Sequence, residues 1–501
     1  MNNKQAVLVI LDGWGHREDS NHNAVHAANT PTFDMLWSQY PHTLLEASEE
    51  AVGLPIGQPG NSEIGHGTIG AGRSLDTDLV RIKKSINEGD FHNNPVLIDA
   101  CDYTVRNNSC LHLMGLYSDG GVHSHKDHMI EIVKLAIEKG VKSVKIHLFT
   151  DGRDTPPQSA HAHIIELEEI LTKIPEASIA SLSGRYFAMD RDNNWDRLEK
   201  FEHIIWKHQT KNIETYSGSA SDYVKDMYNQ ETFDEHILPK KLREDAFIDH
   251  NDAVIIYNFR ADRARMLTER LLSQKEHHNL CIATLTQYKD SYDVNVIFTP
   301  RAIEATLASV ISEANLTQSH IAETEKFPHA TYFLNGGKDN PHHLESHILL
   351  DSRKDVRTHD EAPEMRAMDI ADTTVEEINK GINFIFVNIA NPDIVGHTGN
   401  VPAIIKALET TDAALSKIYE ACKEAGATLM VTADHGNAEY NFDESINSAH
   451  TAHTTNLVPC IITKDNVSLS KGGTLADLAP TVFDILGISK HETMTGVSLI
   501  K

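Results

Sequence analysis

Three short apolar runs, far apart in the chain, each lead to an acidic side chain, and this pattern constrains the fold most. Val7-Leu8-Val9-Ile10-Leu11 stops at Asp12, Phe384-Ile385-Phe386-Val387-Asn388-Ile389 stops shortly before Asp393, and Thr428-Leu429-Met430-Val431-Thr432 stops before Asp434-His435. Each run is β-prone and apolar at successive positions, as in a strand covered on both faces within a parallel sheet. Amphipathic stretches such as Pro402 to Lys423 lie between such runs. Alternating strands and helices predict an α/β fold with helices on both faces of the sheet. In such sheets the site lies beyond the carboxyl ends of the strands, where Asp12, Asp393, Asp434 and His435 are all expected.

The middle of the chain repeats this grammar with different endings. Leu111 to Tyr117 leads into Ser118-Asp119-Gly120-Gly121-Val122-His123, and Val144 to Phe149 into Thr150-Asp151-Gly152-Arg153-Asp154. Ser178 to Leu182 leads into Ser183-Gly184-Arg185, and Val254 to Tyr257 into Asn258-Phe259-Arg260-Ala261-Asp262-Arg263. Arginines and a histidine stand here where the outer runs carry metal-type ligands. With 501 residues the chain exceeds one ordinary core. These runs predict a second α/β domain, residues 77–300, inserted between residues 1–76 and 301–501 of the first. The polar, His- and Asp-rich stretch from Asn335 to Arg366 reads as a long surface excursion.

Charge and cysteine usage narrow the class. A net charge of −27 opposes general nucleic-acid binding and docking on an anionic membrane. The 5 cysteines, Cys101, Cys110, Cys281, Cys422 and Cys460, form no C-x-x-C pair and are odd in number. Reduced thiols in a reducing compartment are expected. The run Ala6 to Leu11 is too short for a signal-peptide core. No stretch approaches the roughly 18 apolar residues of a membrane span, so a cytoplasmic protein is expected.

Three groups of residues could carry chemistry. Asp12, Asp393-x-x-x-His397, Asp434-His435-Gly436 and His450-x-x-His453 offer carboxylates and imidazoles without a thiolate. That set suits Mn²⁺, Zn²⁺ or a similar ion, and its size suits two ions. Singly, each Asp reads better as a helix cap and each His as a surface or satisfied core residue, but four clusters at four strand or loop ends are harder to explain that way. On spacing alone the two readings stay level. Ser62, in Gly60-Asn61-Ser62-Glu63-Ile64-Gly65-His66-Gly67, could open a helix whose free N–H groups favour an oxyanion or phosphate. On composition alone it reads as a Ser N-cap in a Gly-rich turn. Arg153, Arg185, Arg191, Arg260 and Arg263 lie at or just beyond strand ends. There they could capture a carboxylate or phosphate that the net charge repels, although any one of them singly reads better as a surface ion pair.

Together these motifs resemble the cofactor-independent phosphoglycerate mutases, a family related to alkaline phosphatase. Leu11-Asp12-Gly13-Trp14-Gly15, Gly60 to His66, Asp151 to Thr155, Gly184-Arg185-Tyr186, Met189 to Asp192, Trp195-Asp196-Arg197, Phe259 to Arg263, Ala433 to Asn437 and His450 to Thr454 carry the likeness. They run in order along nearly the whole chain. The resemblance implies an alkaline-phosphatase-like doubly wound sheet domain with an inserted phosphotransferase domain. It implies interconversion of 3-phosphoglycerate and 2-phosphoglycerate, in glycolysis and gluconeogenesis, through a phosphoserine on Ser62. Two Mn²⁺ are implied, one held by Asp393, His397 and His453, the other by Asp12, Ser62, Asp434 and His435. Added 2,3-bisphosphoglycerate is not. His123, Arg153, Asp154, Arg185, Arg191, Arg260 and Arg263 would hold the substrate. Lys326, in Glu323-Thr324-Glu325-Lys326-Phe327, would bridge metal centre and substrate phosphate. The expected partner is this small molecule, acted on by a monomer, with no nucleic acid and no membrane. Ser74 to Asp78 and Ser352 to Thr358 depart from the family pattern, away from these positions.

Neighbouring activities share the metal ligands. A hydrolytic metallophosphatase or a phosphopentomutase would use them too, but the arginine set suits a small acid bearing both carboxylate and phosphate. A sulfatase is disfavoured because Ser62 is followed by Glu-Ile-Gly. A catalytically dead scaffold would usually have lost Ser62 or several ligands.

Overall fold

The structure is a computed structural model and describes residues 4–206 and 213–501. The opening Met1-Asn2-Asn3 and residues 207–212 lie outside the described residues. The chain divides into two compact units, one ending at Thr77 and resuming at Ala302, the other running from Asp78 to Arg301.

The first unit opens with strands β1 (Ala6–Leu11) and β2 (His42–Leu45). The second unit contributes β3 (Leu111–Leu116), β4 (Val144–Thr150), β5 (Ala177–Gly184), β6 (Lys240–Lys241), β7 (Ala253–Ile256), β8 (Cys281–Thr286) and β9 (Asn295–Phe298). The first unit resumes with β10 (Gln318–Glu323), β11 (Glu345–Leu350), β12 (Phe384–Ile389) and β13 (Thr428–Thr432). A small hairpin of β14 (Phe442–Asp443) and β15 (Ser448–Ala449) follows, and β16 (Val458–Ile462) closes the set.

The first unit's sheet has the order β11-β10-β12-β1-β13-β16-β2. β1 lies parallel between β12 and β13, with Leu11 opposite Ile389 and Ile10 opposite Thr432. Every residue of β1 and β12 is buried, which is why both read as unbroken apolar runs rather than alternating ones. That register brings the segments after three strands to one edge of the sheet. The helix Val401–Ala425 carries Pro402 in its first turn and ends at Gly426, whose φ of +69° suits a residue without Cβ. Its buried stripe of Ile404, Leu408, Leu415, Ile418 and Cys422 joins the core of this sheet.

The second unit's sheet has the order β6-β5-β4-β3-β7-β8-β9, with β3 parallel to both β4 and β7. Successive residues feed opposite faces. Leu113, Ile146 and Ile255 enter one apolar cluster, and Met114, Val254 and Ile256 another. The chain is therefore α/β, with a mostly parallel sheet in each unit.

Two local expectations need correction. The stretch from Asn335 to Arg366 is not wholly a surface excursion, because β11 within it pairs parallel with β10 along its full length. Glu345 opens β11 buried, and its carboxylate accepts from Asn335 Nδ2, the His342 backbone N–H and the His347 ring. Those internal partners let a polar stretch enter the sheet edge. Ser62 is not the N-cap of its helix. Asn61 takes that role, accepting from the Ile64 backbone N–H at 3.0 Å, and Ser62 is the first helical residue.

Candidate active site

In the first unit β1 delivers Asp12, whose backbone N–H donates to Ile389 O at 3.1 Å across the parallel ladder. The chain then turns at Gly13, where φ is +76° and a Cβ would sit 2.8 Å from the backbone of Asp393. Only glycine lets these two segments approach so closely. The short helix Asn391–Gly396 after β12 carries Asp393, and Asp434-His435 follow β13. Ser62 opens the helix Ser62–Ala71.

These side chains converge. Lys326 Nζ donates to Asp12 Oδ1 at 2.7 Å, to Ser62 Oγ at 2.7 Å and to Asp393 Oδ2 at 2.6 Å. Ser62 Oγ lies 3.0 Å from His435 Nε2 and 3.4 Å from Asp12 Oδ1. His453 Nε2 and His397 Nε2 face each other at 3.1 Å and approach Asp393 Oδ1 at 3.1 and 3.3 Å. Their Nδ1 atoms meet carbonyl oxygens, His397 that of Thr451 at 2.7 Å and His453 that of Gly60 at 2.8 Å. A histidine whose Nδ1–H is committed to a carbonyl presents Nε2 as a lone pair, the usual state of a metal-binding imidazole.

The charge balance also fits a cation. Asp12, Asp393 and Asp434 are all buried, and Lys326 is the ammonium in contact with Asp12 and Asp393. Asp434 Oδ2 is buried and faces only imidazole nitrogens among the described residues, His66 Nδ1 at 3.3 Å and His435 Nε2 at 3.5 Å. Buried carboxylates in such excess need further positive charge. Two sets of ligand atoms lie within 4.8 Å of one another, Asp393 with His435 and His453, and Asp12 with His66 and Asp434.

The cluster perturbs its own ionisation. Burial raises the Asp12 carboxyl above its ordinary value, and the Asp434 charge adds to this against the pull of Lys326. Burial also opposes ionisation of Asp393, but the Lys326 ammonium and hydrogen bonds from His397 and His453 hold it well below the ordinary range. Asp434 is lowered as well, because His435 and His66 outweigh its burial. Burial works against the Lys326 charge, yet Asp12 and Asp393 hold its pKa above the ordinary value.

Residues that carried no assignment in the sequence support this cluster. His66 lies one helical turn beyond Ser62, its Nδ1 2.9 Å from Ser62 O and 3.3 Å from Asp434 Oδ2. The i, i+4 spacing was the signal that could have found it. Asn388 Nδ2 donates to Asp12 Oδ2 at 2.7 Å, and it is the one amide in the apolar run of β12. Asn437 Nδ2 donates to Asp393 Oδ1 at 3.0 Å. The buried Glu439 carboxylate accepts from the backbone N–H groups of Gly15 and Asn437, at 3.2 and 2.8 Å, and from Asn456 Nδ2 at 2.9 Å. It also accepts from Thr454 Oγ1. His450 instead turns to Tyr440, with Nδ1 3.2 Å from its carbonyl.

In the second unit the carboxyl ends of β3, β4, β5 and β7 carry the arginine set. Buried Arg185 donates through Nη1 to Asp151 Oδ1 and Asp154 Oδ2, both at 2.6 Å. His123 stands between two carboxylates, with Nε2 3.7 Å from Asp154 Oδ2 and Nδ1 3.6 Å from Asp262 Oδ1. Arg191 Nη1 and Arg260 Nε each reach Asp262 at 3.1 Å. Arg263 Nη1 donates to Met189 O at 3.1 Å. Arg153 turns outward to Glu235 at 3.3 Å. Burial lowers the Arg263 guanidinium below its ordinary value, and the charges of Arg185, Arg191 and Arg153 add to that. Burial and then Arg185 push His123 down to about 4. Four of the five guanidiniums are thus paired with the carboxylates of Asp151, Asp154, Asp262 and Glu235, so an anion would bind here by taking the place of carboxylates as arginine partners. Lys326 belongs to the first unit's cluster.

A family model described as the metalloenzyme superfamily matches residues 4–490. A 2,3-bisphosphoglycerate-independent phosphoglycerate mutase of Francisella philomiragia is 43% identical over 512 residues, covering 99% of each chain. A protein of the same name from a Synechococcus strain is 44% identical over 513 residues, covering 99% of this chain and 95% of its own. Among solved structures, Leishmania mexicana phosphoglycerate mutase at low cobalt concentration aligns with a TM-score of 0.55 at 27% identity, over 99% of this chain and 98% of its own.

Proposed function

The chain belongs to the metalloenzyme superfamily and, within it, to the 2,3-bisphosphoglycerate-independent phosphoglycerate mutases, and from that premise we propose how its residues perform the reaction. The enzyme is an isomerase that interconverts 3-phosphoglycerate and 2-phosphoglycerate in glycolysis and gluconeogenesis. Ser62 is its nucleophile. Ser62 Oγ attacks phosphorus, a Ser62 O–P bond forms, and the bond from phosphorus to the substrate oxygen breaks. Glycerate turns, and its other hydroxyl then attacks the phosphoserine and restores Ser62.

Asp393, His397 and His453 would hold one divalent ion, and Asp12, Ser62, Asp434 and His435 a second, with Mn²⁺ best suited to this oxygen and imidazole set. When bound, the ions supply positive charge that favours the alkoxide of Ser62 and offsets charge on the phosphoryl oxygens. Asp12 Oδ1, 3.4 Å away, is the carboxylate acceptor within reach of the Ser62 proton, while His435 Nε2 at 3.0 Å would be turned to the ion. Lys326 donates to Ser62 Oγ and holds positive charge where the phosphoryl group arrives. Arg153, Arg185, Arg191, Arg260 and Arg263, with His123 and Asp154, bind the carboxylate and phosphate. Their grip keeps glycerate bound during the life of the phosphoserine, which separates a mutase from a phosphatase. The reaction takes place in the cytoplasm, a reading supported by five unpaired cysteines, and in a monomer, which light scattering would check.

One observation carries the mechanism: Lys326 Nζ stands 2.7 Å from Ser62 Oγ, and His435 Nε2 3.0 Å from it. The experiment is rapid quenching of Mn²⁺-loaded enzyme with 3-phosphoglycerate, followed by peptide mass spectrometry. A phosphoryl group on Ser62, absent in Ser62→Ala, is expected. Turnover of Ser62→Ala at near the wild-type rate would overturn the mechanism.

A further inference from the structure

The second unit's sheet carries a titratable cluster at its other end. Arginines gather at the carboxyl ends of the strands. At the amino ends, Cys110 stands just before β3, His112 lies within β3, and Asp252 stands just before β7. Leu111 pairs with Ala253 in the parallel register, so Cys110 and Asp252 are neighbours across the ladder. The two-residue period turns Cys110 and His112 to the same face. A Cys110 sulfur, a His112 ring nitrogen and an Asp252 oxygen all lie within 4.8 Å of one another. His112 and Asp252 are buried, while Cys110 is half-buried and leaves a way in from solvent.

The groups behind these atoms are already fixed. Asp252 Oδ1 accepts from the Cys110 backbone N–H at 2.8 Å, and Oδ2 from that of Asp249 at 2.7 Å. His112 Nε2 faces Asp252 Oδ2 at 3.2 Å, and His112 Nδ1 faces His147 Nε2 at 2.9 Å. His147 Nδ1 in turn meets Ser181 Oγ at 2.8 Å. This chain of bonds can run in two directions. In one, Ser181 donates to His147, His147 to His112, and His112 to Asp252. In the other, His112 Nδ1–H donates to His147 and His147 Nδ1–H to Ser181, which leaves the His112 Nε2 lone pair facing Asp252 and Cys110. The second direction is the one a metal-bound histidine adopts, its far N–H held by a fixed acceptor. It needs only tautomer changes and rotation of a hydroxyl.

We propose that Cys110, His112 and Asp252 form a Zn²⁺ site in the second unit, with solvent as fourth ligand. Sulfur, imidazole and carboxylate together suit tetrahedral zinc, and the thiolate sets this site apart from the first unit's oxygen and imidazole cluster. Burial raises the Cys110 thiol, so uptake of one ion releases one proton from Cys110 to solvent. The ion ties β3 to β7.

The test uses full-length, metal-stripped protein titrated with Co²⁺ as a spectroscopic stand-in for Zn²⁺. The proposed ligands in the first unit include no cysteine, so they give no thiolate-to-cobalt charge-transfer band. The expected result is such a band in the wild type, abolished by Zn²⁺, missing in Cys110→Ser, and needing about 10- to 100-fold more metal in His147→Leu, which loses the fixed acceptor. A second measurement needs no variant: alkylation of Cys110, followed by mass spectrometry, should slow when Zn²⁺ is added, while alkylation of half-buried Cys281 should not. Absence of the band at saturating Co²⁺, its persistence in Cys110→Ser, or alkylation of Cys110 at one rate with and without Zn²⁺ would each overturn the proposal.

Discussion

Lys326 Nζ lies 2.7 Å from Ser62 Oγ, and the same ammonium touches Asp12 and Asp393. A buried lysine that contacts the nucleophile and two carboxylates provides fixed positive charge where phosphoryl charge gathers. Lys326→Ala is therefore expected to lower kcat by about 10²–10³, the usual cost of removing one such donor. Steady-state kinetics at saturating Mn²⁺ check this. A change in KM alone would reduce Lys326 to a binding role.

Glu439 ties three segments of the first unit's cluster together through Gly15, Asn437 and the Thr454–Asn456 stretch. A glutamine there offers one oxygen acceptor in place of two and turns an NH₂ toward groups that are themselves donors. Glu439→Gln is predicted to cost about 1–3 kcal/mol of stability and to weaken metal uptake. Denaturant unfolding and Mn²⁺ titration by calorimetry measure the two effects, and unchanged values in both would show that the carboxylate is dispensable.

Arg260 pairs with Asp262 at 3.1 Å and keeps much of its side chain in solvent. If the arginine set retains glycerate, Arg260→Ala should lower total turnover and raise the ratio of inorganic phosphate released to 2-phosphoglycerate formed. Following both products in one assay decides this. A ratio that stays at the wild-type value would confine the arginine to substrate binding.

Acid should destabilise the metal-free fold before the carboxylates protonate. Burial is the leading cause that pushes His123 and His320 down to about 4, and His128 and His329 down to about 3. The unfolded chain takes up protons on these imidazoles near pH ~6.5, whereas the folded chain takes them up only at lower pH. Stability is therefore intact above the unfolded value and falls as the pH drops from there toward 4. Each unit of depression is worth about 1.4 kcal/mol at full effect. His397 and His453 are raised and work in the opposite direction, but they are fewer. Urea midpoints that stay constant from about pH 7 to about pH 5 would contradict this.

Much of the architecture was legible because buried parallel strands and their endings are local patterns. Val7 to Leu11 and Phe384 to Ile389 are apolar at nearly every position because both faces of the sheet are covered, and that condition is written residue by residue. The stretch around β11 was not legible, because Glu345 is buried only through partners supplied by Asn335, His342 and His347. Polarity in sequence carries no mark of whether such partners exist. The cap at Asn61 and the helical start at Ser62 are indistinguishable in sequence for a related reason: both residue types cap helices, and only the backbone conformation assigns the role.

By itself the sequence determined which side chains stand at strand ends, since strand period and length are local properties. It also carried the ordered motifs that mark the family. Which ends meet was decided by the strand order β10-β12-β1-β13, a choice among long-range pairings that no short window contains. That order brings Asp12, Asp393 and Asp434 together and lets Lys326 and Ser62 meet although they are 264 residues apart. The pairing of Cys110 with Asp252, 142 residues away, is of the same kind. A strand run records how it is covered, but its neighbours follow from packing the whole sheet at once.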